Sequence, residues 1–128
     1  MGNILGAYLM PHPPIIISEI GRNQSKEVKS TINAMTSVAK DIAMKGPDTI
    51  IIISPHGPVF SDGIGLRLES TFRGDFGRFG VPSLSMDFSC DEKLTKDIVV
   101  KSNIMGIKAL EVDTSLYNTY NISKYLDW

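Results

Sequence analysis

One cysteine, Cys90, in 128 residues leaves no partner within the chain for a disulfide. The fold therefore cannot rest on a cross-linked framework, and the composition suits a reducing cytoplasmic compartment. Beside Asp91, Cys90 reads as a small half-buried side chain rather than a nucleophile. An excess of either charge is lacking too. Thirteen Lys and Arg stand against 14 Asp and Glu, giving a net charge of −1. Without a basic stripe or an acidic tail, nucleic acid is not an expected partner. No apolar run approaches the roughly 20 residues that a bilayer-spanning helix needs. The start, Met1-Gly2-Asn3-Ile4-Leu5-Gly6, lacks the basic region of a secretory leader, and Gly6 stands where a myristoylation signal needs Ser or Thr. A soluble cytoplasmic protein with no membrane association is expected. Neither an internal repeat nor a linker divides the chain, so one domain over residues 1–128 is expected.

What the chain does have is enough apolar residue for a core: 42% apolar and 21% charged, ordinary values for a globular domain. Ile4–Met10 is a compact apolar run without alternation, the pattern of a strand buried on both faces. Val28, Ile32, Met35, Val38, Ala39 and Ile42 recur at helical spacing, and Gly46-Pro47 closes that helix. Thr49–Ile53 repeats the buried-strand pattern. Strand, helix and strand in that order predict a right-handed βαβ unit with parallel strands. Further on, Ile64, Leu66 and Leu68 alternate with polar or small residues, as do Leu84, Met86 and Phe88, each predicting a half-exposed strand. Asp91 is placed to cap a helix bearing Leu94, Ile98 and Val99, with Gly106 as its stop. Ile107–Val112 is a last strand. Phe72–Pro82 reads as a glycine-rich aromatic loop in which Arg73 and Arg78 are either solvated or able to meet an anionic substrate. The lack of a Gly-Lys-Ser/Thr ending excludes a phosphate loop there. These elements predict an α/β fold with a mostly parallel sheet, helices on both faces and three α/β/α layers.

Only two histidines occur. His12 sits in Met10-Pro11-His12-Pro13-Pro14 and His56 in Ser54-Pro55-His56-Gly57-Pro58, each at the end of an apolar run. Ligands of open α/β sheets bind beyond the carboxyl ends of the strands, so two imidazoles there suggest a metal site. Two His with a carboxylate and open positions suit non-heme Fe(II) oxygenases, and a similar set serves zinc hydrolases. The spacing does not choose between iron and zinc. Asp62 is the best local carboxylate, with Glu19 and Glu69 weaker; each also reads as a solvated surface charge. A histidine after a strand can equally serve by fixing its loop.

The two histidine motifs, with Phe76-Gly77-Arg78-Phe79-Gly80 and the order of elements, resemble the catalytic B subunit (LigB-like) of the class III extradiol ring-cleavage dioxygenases. The resemblance is closer to the Memo-like, AmmeMemoRadiSam branch and runs through essentially the whole chain. It implies an α/β sheet, with His12 and His56 as two ligands of Fe(II), and a catechol-type aromatic and dioxygen as reactants. Zinc is the alternative metal. The family's glutamate ligand has no counterpart here. Its Leu-Asp-His-Gly histidine meets Leu126-Asp127-Trp128, so no catalytic acid/base is assigned. The resemblance thus implies the N-terminal half of the fold, inactive by itself. A metal-binding protein with another reaction or none is the competing reading, and a zinc-dependent hydrolase the next. Oligomeric state is left open, self-association included.

Overall fold

The computed structural model describes residues 2–56 and 60–113. The expected last turn of the family resemblance, Leu126-Asp127-Trp128, lies outside them. The chain is α/β; the described residues form one parallel and one antiparallel strand pair beside three α-helices. It divides into two compact units, Met1–Ile50 with Gly74–Met86, and Ile51–Arg73 with Asp87–Trp128.

The first unit is built on helix α2, Lys29–Lys45. Of its apolar stripe, Val28, Ile32, Met35, Val38 and Ile42 are half-buried, whereas Ala39 is exposed. Gly46 ends it as expected, at φ +55° with its N–H donating to the Ile42 carbonyl over 3.1 Å. Glycine takes that left-handed conformation without a Cβ clash. Before α2, a 3-10 turn (Pro14–Ile16), the four-residue α1 (Ser18–Gly21) and a second 3-10 turn (Arg22–Lys26) coil tightly on themselves. Gly21 is buried at their centre. A Cβ there would meet the Ile15 carbonyl oxygen at 2.1 Å and Ser25 Oγ at 2.3 Å, so only glycine fits.

In the second unit β1 (Ile64–Arg67) pairs in parallel with β4 (Ala109–Val112), Ile64 opposite Ala109 and Arg67 opposite Val112. Parallel neighbours need a crossover. Helix α3 (Glu92–Ile104) lies in that connection and packs on both strands. The buried apolar side chains of the described residues sit here: Val112 is 1% exposed and Ala109 3%. Asp91 caps α3 as the sequence predicts, its Oδ1 accepting the Leu94 N–H at 3.0 Å. Such a cap contributes about 1 kcal/mol.

Two parts of the chain depart from expectation. Phe72–Pro82 is not an open loop. Strand β2 (Thr71–Phe76), a 3-10 turn (Gly77–Phe79) and strand β3 (Val81–Ser89) make an antiparallel hairpin. Asp75 Oδ1 accepts the Gly77 N–H at 2.7 Å, and Gly80 at φ +80° turns the chain into β3. Arg73, considered as an anion contact, instead pairs with Asp87 at 3.3 Å.

The second departure concerns the apolar runs. Neither Ile4–Met10 nor Thr49–Ile53 forms a strand. The βαβ unit of the described residues is β1–α3–β4, downstream of the predicted one. The physical reason is pairing. Continuous apolar character marks a strand that needs neighbours at both edges and cover on both faces, and no strand among the described residues pairs with either run. Leu9 is consequently 102% exposed and Ile53 96%.

Candidate functional site

The backbone around His12 is constrained by its prolines. Pro11 and Pro13 have fixed φ, and a residue before proline is held in the extended region. Met10, His12 and Pro13 each precede a proline, so the stretch is stiff and extended; Pro13 has φ −71° and ψ 136°. Pro14 then opens the 3-10 turn, where it loses no hydrogen bond. Ile16 N–H donates to the Pro13 carbonyl at 3.1 Å and Ile17 N–H to the Pro14 carbonyl at 3.0 Å. His12 itself is exposed, in the first unit.

Upstream of His12, Tyr8 closes a cluster that the sequence reading missed. Its hydroxyl donates to the Asp41 carboxylate, and Lys45 Nζ donates both to Asp41 and, at 2.9 Å, to the Tyr8 oxygen. The ammonium also lies 5.5 Å from the Tyr8 ring centre. The Lys45 hydrogen bond, then that from Tyr8, holds the Asp41 carboxyl below the usual carboxylate range; Asp41 in turn raises the Lys45 ammonium. Spacing of four on α2 was the available signal, since it aligns Asp41 and Lys45 on one face.

His56 is half-buried and belongs to the second unit. Its N–H donates to Ser54 Oγ at 2.7 Å, a side-chain turn that spans Pro55 and fixes the backbone carrying the imidazole.

Each candidate carboxylate has another partner. Asp62 lies 2.7 Å from Lys108 Nζ, which holds its carboxyl below the usual range. Glu69 accepts from Arg67 Nη2 at 3.0 Å and Nε at 3.3 Å. Glu19 accepts from Ser18 Oγ at 2.7 Å, which lowers its carboxyl as well. Among the described residues, no group of three His, Cys, Asp or Glu side chains is disposed to hold a metal. The imidazoles are suitable donors for iron or zinc, but the described residues do not complete a metal centre. Cys90 is half-buried, with Sγ 3.7 Å from Thr95 Oγ1, in keeping with a packing role. No helix among the described residues is long and apolar enough to cross a membrane.

Comparison with known proteins identifies what this arrangement is similar to. The family model described as the catalytic LigB subunit of aromatic ring-opening dioxygenase matches residues 6–127. Protein CA_C1420 of Clostridium acetobutylicum is 38% identical over 122 residues, which cover 95% of this chain and 26% of that protein. The chain thus spans about a quarter of the length of this curated relative. No solved structure matches significantly.

Proposed function

The chain belongs to the family of the catalytic LigB subunit of aromatic ring-opening dioxygenase, and from this premise we propose that it carries part of a non-heme Fe(II) extradiol ring-cleavage site for catechol-type aromatics. The observation that carries the proposal is the family match over residues 6–127, which contains both histidine motifs. His12 and His56 are the two ligands this chain contributes. Iron, when bound, supplies Lewis acidity and open positions for the two reactants. The chain's own part is to hold the two imidazoles on stiff turns, His12 between prolines and His56 on the Ser54 hydroxyl. A third ligand and an acid/base group come from outside the described residues. We also assign the chain to the Memo-like branch and to the N-terminal half of the family fold. Exposure of Ile50, Ile51, Ile52 and Ile53 supports the latter, since burying each isoleucine is worth about 2 kcal/mol.

A metal-binding role without ring opening is favoured by one observation. The sequence holds only two histidines, both assigned as ligands, which leaves none to act as the acid/base of ring cleavage. Because this chain carries only part of the site, incubation of the parent protein that contains the whole family fold with Fe(II), catechol and air separates these readings through the yellow ring-opened product. Product that disappears in both His12→Ala and His56→Ala supports the dioxygenase. Histidine-dependent iron binding without product supports the metal-binding alternative. Absence of both overturns the two together.

A further inference from the structure

Two anchors hold the His12 segment against one rigid body. At its start, the Tyr8 hydroxyl is bound by Asp41 and Lys45 from the last turns of α2. At its end, the Pro14–Ile16 turn also packs on α2. Between them, Leu9 is fully exposed and makes no packing contribution, while Pro11, Pro13 and Pro14 stiffen the backbone. The stretch from Tyr8 to Pro14 reaches at most about 20 Å, so fixing both ends limits where His12 can go.

The local sequence is shaped to make the first anchor. Gly6 lies under the Tyr8 ring: a Cβ there would approach the Tyr8 oxygen to 2.8 Å and two ring carbons to 3.1 Å. Glycine therefore lets the ring fold back over its own backbone. Asp41 is half-buried at the foot of the cluster. Lys45 bonds both of the other members, so the hydroxyl donates in one direction and accepts in the other, which fixes its orientation. The second anchor is independently rigid, because Ser25 Oγ donates to the Ile15 carbonyl at 3.2 Å across the buried Gly21.

We propose that Tyr8, Asp41 and Lys45 are positioning residues for His12, a clamp on α2 that holds the imidazole-bearing strap in one arrangement. The proposal deepens the reading of His12 as a metal ligand and takes its chemical meaning from it. Outer groups that orient a ligand are commonly worth 10- to 100-fold in metal affinity. An exposed strap that pivoted freely would have to be ordered by the metal at each binding event.

The test compares Tyr8→Phe and Asp41→Asn with the parent protein, reading NMR relaxation of the His12 imidazole without metal and Zn(II) affinity with it. Tyr8→Phe keeps the ring and removes only the hydroxyl. The expected result is greater His12 mobility in both variants and about tenfold weaker Zn(II) binding, with the overall melting curve unchanged. Unchanged His12 relaxation in both variants overturns the clamp. Failure of the ligand reading looks different: parent and His12→Ala then bind Zn(II) equally, while the loosening of His12 in Tyr8→Phe still supports the clamp. As a further control, Lys45→Arg keeps a donor near both partners and restores part of the order lost in Lys45→Met; equal mobility in these two variants counts against it.

Discussion

Asn103 reads both backbone groups of Ala109. Its Nδ2 donates to the Ala109 carbonyl at 3.0 Å while its Oδ1 accepts the Ala109 N–H at 3.2 Å, with Nδ2 also donating to the Val99 carbonyl. A side chain at the end of α3 thus treats the first residue of β4 as a neighbouring strand would. Ala109 is one of two buried apolar residues among those described, so its polar backbone must be satisfied away from water. Asn103→Ala leaves those groups unpaired and is expected to cost about 1–3 kcal/mol. Urea denaturation checks this; an unchanged midpoint means that Asn103 does not hold β4 in place.

Gly21→Ala places a methyl group where the Ile15 carbonyl and Ser25 hydroxyl already sit. Backbone must move, and a loss of about 1–3 kcal/mol is expected. The neighbouring Arg22 has φ +46°, a conformation that a Cβ disfavours. Arg22→Gly is therefore expected to stabilise by up to about 1 kcal/mol, the relief of strain exceeding the entropy added to the unfolded chain. Opposite shifts in melting temperature for the two variants are the expected result; equal shifts contradict the geometry of this turn.

The acid side of the stability profile follows from depressed carboxyls. Asp62 is lowered first by the Lys108 hydrogen bond and then by its charge, Asp41 first by Lys45, and Glu19 first by Ser18. Groups depressed on folding contribute stability that is present above their unfolded values, 3.8 for Asp and 4.5 for Glu, and lost as pH falls through the folded ones. On the alkaline side, Lys45 and Lys93 are raised above 10.5 by Asp41 and Asp97. Their contribution is complete below 10.5 and lost as pH rises through the raised values. All but the half-buried Asp41 are exposed, so each effect is small and falls with salt. Asp62→Asn should flatten the acid limb at low ionic strength and change little in 1 M salt. A full acid limb in that variant assigns the dependence elsewhere.

Asp91→Ala removes the acceptor for the Leu94 N–H and leaves the first turn of α3 uncapped. A loss of about 1 kcal/mol is expected, with Asp91→Asn retaining most of the cap. Amide exchange at Leu94 reports it directly; equal protection in the three proteins rules out the cap.

Local signals were the legible ones. Gly46-Pro47 closed α2 and Asp91 opened α3 because capping is settled within a few residues. Alternation at Ile64, Leu66 and at Leu84, Met86 marked β1 and β3, in which Leu66 and Leu84 are half-buried while Ile64 and Met86 stay exposed. The runs Ile4–Met10 and Thr49–Ile53 misled because their composition states that both faces should be covered but names no partner strand. In the β2–β3 hairpin, Phe72, Gly74 and Phe76 share one face, yet glycine at the middle position hides the period. The histidine motifs were visible, but the Tyr8 cluster depends on a tertiary approach between Tyr8 and α2 that no spacing encodes. Asp62, Glu69 and Glu19 are legible in the sequence as carboxylates, but their pairing with Lys108, Arg67 and Ser18 is a property of the folded chain.

The most direct test of the central claim is an anaerobic Fe(II) and Zn(II) titration of the protein beside His12→Ala and His56→Ala. If both histidines serve one metal, the parent binds one equivalent and each variant loses that binding. Equal, weak binding by all three proteins contradicts the assignment of His12 and His56 as ligands.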